Sequence, residues 1–309
     1  MRPAHAAAGF AIPLPALGPP PGVASPVMTD DRTPGHLLSS AVDADPARPL
    51  FTFYDDATGA RTELSVATFA NWVAKTANLL RDELAAGPGA SIAIHLPLHW
   101  QTLVWLQASW AVGAVACLDR GAVDGDVAVV EHGAVIEHGA GADPVTGQEG
   151  VGSAGEVVSL GLGPLGLPRP GRHPTYDRAV DYDRVVHGHG DRFLPAAAPD
   201  PLAPTLRCSG QLTSGGALVS AATRSVARLG PDRLLVTSPL REVTDVVGAL
   251  LVPLAGAGAV LVRNLDPGRL PDLVSDERIG AVLVGSSGEA PATAPGLARF
   301  VPEQADLIT

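Results

Sequence analysis

Lysine is almost absent from this sequence of 309 residues: Lys75 is the only one, and the other basic side chains are arginines. Any mechanism that needs a lysine at another position is therefore excluded. Aromatic residues are also scarce, at 4%, and no basic stretch is interleaved with them. Because the net charge is −11, the surface would repel a phosphate backbone, and we predict no nucleic-acid partner.

Cysteine is nearly as rare as lysine. The two cysteines, Cys117 and Cys208, lie in unrelated segments and do not form the regular spacing of a disulfide framework. This usage is typical of proteins from a reducing compartment. We therefore predict a cytoplasmic protein.

The longest apolar segments of the sequence are shorter than a membrane-spanning helix requires, or are interrupted. Leu103–Leu118 and Val246–Val262 are the two best candidates, and the second has 17 residues without a charge. Pro253 and the Gly256-Ala257-Gly258 break interrupt it, so the pattern favours a buried helix, a turn and a buried strand. We predict no membrane segment.

The two ends of the chain differ in composition from the middle. Residues 1–27 contain no acidic side chain and seven prolines, and the composition changes at Met28. We predict that residues 1–28 are a disordered leader, or that Met28 is the natural start. Residues 288–309, rich in alanine, proline and glycine, are predicted to be a frayed tail.

Between these ends, short apolar strands alternate with amphipathic helices, which predicts an α/β protein with mainly parallel sheets. Residues 29–162 and 205–287 form two such lobes, and the loop-like residues 163–204 connect them. The predicted strands are 50–54, 60–64, 91–96, 115–118, 126–130, 156–162, 205–208, 234–237, 259–263 and 279–284, with 179–186 as a further candidate. The predicted helices are 66–85, 99–112, 212–229, 243–254 and 266–277.

The two lobes repeat each other in sequence. Gly87-Pro88 corresponds to Gly230-Pro231, and Gly113-Ala114-Val115 corresponds to Gly258-Ala259-Val260. The strands that lie between these pairs also correspond, since each ends in a Pro-Leu dipeptide. We therefore predict two pseudo-repeated open α/β layers, each with right-handed crossovers.

Two segments resemble adenylate-forming, AMP-binding enzymes such as acyl-CoA synthetases. Arg61–Leu118 is similar to the N-terminal lobe of that family, and Gly230–Asn264 is similar to the region that follows the family's phosphate loop. The likeness extends over residues 36–285 and implies the fold of the front part of such an enzyme. The whole chain also resembles a small actinobacterial family of unknown function that keeps only this front part. The segment Val185–Pro195, "VVHGHGDRFLP", is part of that resemblance.

The resemblance places a phosphate loop at Thr213-Ser214-Gly215-Gly216. The family's loop reads Thr-Ser-Gly-Thr-Thr-Gly-x-Pro-Lys, and this sequence matches its first three positions but lacks the second glycine, the proline and the lysine. We keep Thr213, Ser214, Gly215 and Gly216 as candidate ligand-binding residues. The alternative is that Thr213 or Ser214 caps the helix that follows. Leu212-Thr213 corresponds to Leu64-Ser65 in the first lobe, where Ser65 is predicted to cap a helix.

The remaining machinery implied by the resemblance is also missing. Adenylate-forming enzymes use a further lysine on a C-terminal subdomain, and no lysine follows Lys75 here. We therefore expect no catalytic residues, no bound ATP or AMP, and a non-catalytic protein that binds a small molecule or a protein partner. The alternative is a residual acid–thiol ligase activity that another chain completes.

A third hypothesis concerns metal chemistry. His187, His189 and Asp191 alternate along "HGHGD", which resembles the metal-binding loop of metallo-β-lactamase-fold hydrolases. Downstream histidine ligands are missing, because all nine histidines lie at or before position 189. The residues therefore predict either a weak metal site for a hydrolase or a polar loop between the lobes.

Overall fold

The computed structural model of the chain describes residues 30–119, 125–133, 155–168, 179–230, 232–285 and 297–308. The predicted leader over residues 1–28 lies outside the described residues. The described residues form thirteen strands and eight α-helices.

The strands are β1 (Pro49–Asp55), β2 (Ala60–Ser65), β3 (Ser91–His95), β4 (Val115–Cys117), β5 (Val127–Glu131), β6 (Glu156–Leu160), β7 (Val180–Asp181), β8 (Pro204–Cys208), β9 (Gln211–Ser214), β10 (Arg233–Val236), β11 (Ala259–Arg263), β12 (Ile279–Leu283) and β13 (Ala298–Phe300). The helices are α1 (Pro34–Ala44), α2 (Val66–Asp82), α3 (Trp100–Ala111), α4 (Tyr182–Val185), α5 (Gly215–Leu229), α6 (Val243–Val246), α7 (Val252–Ala255) and α8 (Leu270–Asp276). A π-helical segment, Val247–Leu251, joins α6 to α7.

The strands form two sheets, and the predicted α/β fold class is confirmed. A seven-stranded sheet has the order β7-β6-β5-β3-β4-β8-β9, and a six-stranded sheet has the order β13-β12-β10-β11-β1-β2. Within these orders, all neighbours are parallel except the hairpins β1–β2 and β8–β9, which are antiparallel. Neither sheet is built from one predicted lobe alone, because each of these hairpins belongs to the sheet of the other lobe.

This exchange preserves the sequence repeat in three dimensions. The order β6-β5-β3-β4-β8-β9 in one sheet matches β13-β12-β10-β11-β1-β2 in the other, strand by strand. In the seven-stranded sheet, β4 pairs with β8, and in the six-stranded sheet, β11 pairs with β1. The repeat seen in the sequence is therefore a repeat of whole sheets, with the leading hairpin of each half added to the opposite one.

One continuous apolar cluster joins the two sheets through the helices. It contains residues of β1, β3, β5, β8, β10 and β11 together with α1, α2, α3 and α5. Helix α3 is buried on all sides from Trp100 to Trp110, as expected for a helix that is apolar all round. Among the helices of the described residues, none combines the length and apolar character that a bilayer crossing requires.

A buried ion pair holds the first hairpin against the second-half sheet. Arg233 at the start of β10 pairs with Glu277, which follows α8, and both side chains are largely buried. Arg233 also donates to Thr52 Oγ1 in β1 at 2.9 Å, and Tyr54 donates to Glu277 Oε1 at 2.5 Å. Burial raises the pKa of Glu277, but the hydrogen bond from Tyr54 and the charges of Arg233 and Arg61 outweigh it, so the net pKa lies below its ordinary value.

Four local predictions were wrong or incomplete. The segment 212–214 belongs to strand β9 and does not open a helix, because β9 pairs with β8 up to Ser214. Strand β7 has two residues, and α4 replaces the rest of the predicted strand 179–186. Within the predicted tail, β13 adds a parallel strand to β12, and α1 had no counterpart in the prediction.

The junction between β11 and the exchanged hairpin is sensitive to one added methyl group. An alanine Cβ at Gly258 would lie 2.5 Å from the carbonyl oxygen of Leu50, and φ there is +92°. We expect Gly258→Ala to lower the free energy of unfolding by about 3 kcal/mol or more, measured by urea denaturation. Gly59→Ala is the control, since φ is +70° but no atom lies within 4 Å, and it should cost about 1–2 kcal/mol. Equal losses for both variants would contradict the close approach.

The Arg233–Glu277 pair predicts a pH dependence of stability. Because the folded-state pKa of Glu277 is lowered, its stabilising contribution is complete above the ordinary value of 4.5 and is lost as pH falls through the lowered value. Glu277→Gln should cost about 3–5 kcal/mol at about pH 7, since it leaves Arg233 buried and unpaired. The difference from the wild type should shrink in acid. Glu63→Gln, which removes an exposed partner of Arg61, should cost less than about 1 kcal/mol at any pH.

Candidate functional site

The stretch Cys208–Gly216 is a hairpin turn and a strand–helix junction. Ser209 and Gly210 have φ values of 51° and 72°, which is the positive φ at both central positions that a two-residue hairpin turn needs. Asp119 Oδ1 accepts from the N–H of Gly210 at 2.9 Å. This N–H is therefore already bound within the chain.

The start of α5 is closed by the protein's own groups. Ser214 is the N-cap residue, and its Oγ accepts from the N–H of Ala217 at 3.3 Å. The N–H of Gly216 donates to the carbonyl of Pro201 at 2.8 Å. Thr213 is fully buried and Ser214 is 7% exposed. The structure thus brings the four predicted ligand-binding residues together, but as a buried cap.

The first half of the chain contains the same arrangement. Ser65 ends β2 and caps α2, accepting from the N–H of Thr68 at 3.1 Å. Ser214 ends β9 and caps α5 in the same way. The equivalent of Ser65 is therefore Ser214, one residue beyond the Leu212-Thr213 pair that the sequence comparison aligned with Leu64-Ser65.

The stretch that carries His187, His189 and Asp191 runs across helix α2. Asp191 Oδ1 lies 2.6 Å from Lys75 Nζ, and His189 Nε2 lies 3.0 Å from Glu83 Oε1. The ring of His187 packs edge-on against Trp72, and its Nε2 is 3.3 Å from the carbonyl of Gly166. Each of the three predicted metal ligands thus has a different partner, and the geometry does not bring them to one point.

The backbone of this stretch is also bound to α2. Lys75 Nζ donates to the carbonyl of His189 at 2.7 Å, and Asn78 Nδ2 donates to the carbonyls of Gly190 and Arg192 at 3.0 and 2.9 Å. Arg81 donates to the carbonyl of Leu194 at 3.2 Å. We call residues 186–195 the strap. The only lysine of the chain is therefore engaged in holding the strap to α2.

A different group of ligand-type residues was missed by the sequence reasoning. His132, Asp181 and Asp183 offer ligand atoms that all lie within 4.8 Å of one another, the one such metal-ligand group found among the described residues. His132 follows β5, Asp181 ends β7, and Asp183 lies in α4. These positions are at the carboxyl ends of neighbouring parallel strands, where ligands bind in open α/β sheets. We call the three residues the His132 cluster.

The other contacts of the His132 cluster orient its carboxylates. Asp183 Oδ2 accepts from the N–H of Gly161 at 2.8 Å, and Asp181 Oδ2 lies 3.1 Å from Arg184 Nε. Oδ1 of both aspartates and both ring nitrogens of His132 have no hydrogen-bond partner among the described residues. Burial raises the pKa of Asp183, which the Gly161 N–H and His132 offset only in part.

Two clefts of ligand size lie elsewhere along the seven-stranded sheet. The larger, about 490 Å³, is mainly apolar and lies at the amino ends of β3, β4 and β8, with Arg81, Trp110 and Phe193 in its wall. The smaller, about 440 Å³, lies beside the β8–β9 turn and has Asp119, Arg241 and Glu242 in its wall. Two carboxylates against one arginine make the smaller cleft a poor environment for a polyphosphate.

The two cysteines and His99 are structural in this fold. Burial raises the pKa of Cys208 to about 12 and raises the pKa of Cys117, so neither thiol is a ready nucleophile. His99 caps α3 through Nδ1, which accepts from the N–H of Gln101 at 3.2 Å, and its ring packs against Phe53 at 4.4 Å.

Comparison with known proteins gives one informative relative. A TIGR03089 family protein of Mycobacterium tuberculosis is 41% identical over 250 residues, which cover 81% of this chain and 97% of that protein. No protein-family model matches the chain.

The hydrogen bonds between the strap and α2 are open to a direct test. Asn78→Ala removes the donor of two strap carbonyls, and we expect a loss of about 1–2 kcal/mol in the free energy of unfolding and faster proteolysis of the strap. Arg192→Ala is the matched control, because it removes an exposed side chain of the strap and leaves the Arg192 carbonyl in place. Limited proteolysis with mass-spectrometric mapping measures both variants. Cleavage of Asn78→Ala at the wild-type rate would contradict this role.

Proposed function

The chain belongs to the TIGR03089 protein family, and from that premise we propose that it is a non-catalytic protein built on a scaffold like the front part of adenylate-forming enzymes. Its role on this proposal is to bind a small acyl-type molecule or a protein partner in the cytoplasm. The two cysteines are free and buried, which supports a reducing location.

The observation that carries this proposal is the closed N-terminus of α5. An ATP-binding loop needs free N–H groups that face the phosphates. Here the N–H groups of Gly216 and Ala217 at the start of α5 donate to Pro201 and Ser214, and the N–H of Gly210 in the preceding hairpin turn donates to Asp119. Phosphate binding would first have to break these hydrogen bonds and open a buried strand–helix junction.

The distribution of positive charge supports the same proposal. The only lysine, Lys75, lies on α2, where it pairs with Asp191 and donates to the carbonyl of His189. Arg207 of β8 is paired with Asp119 at 2.9 Å, and Arg241 beside the β8–β9 turn shares its cleft with Asp119 and Glu242. Little charge is therefore available to offset a triphosphate or a reacting carboxylate.

The two alternative functions receive less support. A ligase completed by another chain would require that chain to supply cations and also to open the α5 junction. A hydrolase at His187, His189 and Asp191 would require the strap to leave α2, because the three side chains bind three different groups there.

The apolar cleft of about 490 Å³ offers a place for the small acyl-type molecule. Its volume is in the range of ligand pockets, and its wall is mainly apolar with a few polar groups, of which Arg81 carries a positive charge. Arg81 is bound to Asp82 and the strap, so a carboxylate would compete for it.

Two matched serine variants test the absence of nucleotide binding. Ser214→Ala and Ser65→Ala each remove a helix cap, and each should lower the free energy of unfolding by about 1 kcal/mol. Thermal unfolding is measured with and without magnesium ATP, AMP and an acyl-CoA. We expect no stabilisation by ATP or AMP in the wild type or in either variant, whereas a ligand at about 100 times its Kd would add about 2.7 kcal/mol.

Either of two results would contradict the proposal. If ATP stabilises the wild type and Ser65→Ala but not Ser214→Ala, the α5 junction binds phosphate. Pyrophosphate exchange above background with any carboxylic acid would show that the protein is an enzyme.

A further inference from the structure

The His132 cluster contains buried polar atoms that no described group satisfies. His132 is 4% exposed and Asp183 is 1% exposed. Both ring nitrogens of His132 and Oδ1 of both aspartates have no hydrogen-bond partner among the described residues. Leaving such groups unpaired is costly, and the cost is greatest for charged carboxylates.

Two of the unpaired atoms, His132 Nε2 and Asp181 Oδ1, face each other. Each aspartate has one oxygen held from outside the cluster, by the N–H of Gly161 for Asp183 and by Arg184 for Asp181. In both residues the other oxygen, Oδ1, is free, and the nearest ring nitrogen of His132 is 3.8 Å from Asp181 Oδ1. Outer contacts that fix one oxygen and leave the other free are typical of metal-ligating carboxylates.

The sheet places these atoms together with little room for rearrangement. Val130, Ser159 and Asp181 are paired across β5, β6 and β7, and His132, Gly161 and Asp183 follow them two residues later. A Cβ at Gly161 would lie 2.9 Å from Asp183 Oδ2 and 3.3 Å from His132 Nδ1. The histidine and the aspartate therefore pack directly against bare backbone, in the space that a side chain at position 161 would occupy.

We propose that His132, Asp181 and Asp183 form a binding site for a divalent transition-metal ion such as Zn²⁺ or Mn²⁺. One imidazole and two carboxylates suit these ions, because imidazole favours zinc and carboxylates favour manganese. Donors that lie about 2.1 Å from one ion are about 3–3.5 Å apart. His132 Nε2 and Asp181 Oδ1 are 3.8 Å apart, and the three ligand atoms lie within 4.8 Å of one another, so binding an ion requires the side chains to close by up to about 1–2 Å. Three protein ligands leave a coordination position for water or a small ligand. This site is independent of the nucleotide question addressed above.

The full chain is first tested for metal content. It is incubated with ZnCl₂ or MnCl₂, passed through gel filtration and analysed by mass spectrometry, and we expect one ion per chain. Calorimetric titration then compares variants. Asp183→Asn keeps an oxygen that accepts from the Gly161 N–H but removes the charged ligand. It should weaken metal binding by about 100-fold or more, which exceeds the effect of losing a group that only orients a ligand.

Matched controls come from the strap. Asp191→Asn and His187→Gln are the same substitutions as Asp183→Asn and His132→Gln, made at the residues of the earlier metal hypothesis. We expect the strap variants to bind the ion like the wild type and the cluster variants to lose it.

Thermal unfolding separates a metal ligand from a merely structural residue. In EDTA, Asp183→Asn should melt at or above the wild-type temperature, because it removes a buried charge. With Zn²⁺ the wild type should be stabilised and Asp183→Asn should not. The proposal would be contradicted if Asp183→Asn melted below the wild type in EDTA and Zn²⁺ then stabilised both proteins to the same extent.

Two further results would overturn the site. The first is a wild type that retains no ion after gel filtration. The second is an ion that is retained by Asp183→Asn and His132→Gln but lost from Asp191→Asn. If Asp183→Asn does not fold, His132→Gln and the metal content of the wild type decide the question.

Discussion

The exchange of the leading hairpins between the two sheets is the constraint on which the rest of the fold depends. Strands β1 and β2 complete the second-half sheet, and β8 and β9 complete the first-half sheet. Each exchanged hairpin is held by a charged pair, Arg233–Glu277 on one side and Arg207–Asp119 on the other. Because neither sheet is complete without strands from both halves, the halves share one apolar cluster and are expected to unfold together.

The same exchange explains why the α5 junction is closed. Strand β9 continues to Ser214 because it pairs with β8 at the edge of the first-half sheet, so the chain passes from strand to helix without a loop. A phosphate loop needs a free segment at this place. The hydroxyl group at the junction therefore caps the helix, as Ser65 does at the equivalent junction of the first hairpin.

Two histidine–aspartate groups lie on the first-half side of the molecule, and they differ in what surrounds them. On the strap, each side chain has a partner on or near α2, and Asp191 is 60% exposed. In the His132 cluster, His132 and Asp183 are buried, Asp181 is half-buried, and ligand atoms of all three lie within 4.8 Å of one another. The spacing of ligand-type residues is visible in the sequence "HGHGD". The more suitable arrangement instead joins His132, which follows β5, to Asp181 and Asp183, which lie in β7 and α4 much later in the chain.

The sequence by itself determined the α/β class, most strand and helix positions and the internal repeat, because these follow from local periodicity and from proline and glycine breaks. It also indicated the alternatives for Ser214, since a cap and a phosphate loop begin with the same residues. Only the tertiary structure decided which sheet each hairpin joins, that Lys75 holds the strap, and that His132 meets Asp181 and Asp183. Strand order is a long-range property: a hairpin has the same pattern at the edge of either sheet, and the pairing partner is chosen by packing and by buried charges such as Arg233 and Glu277.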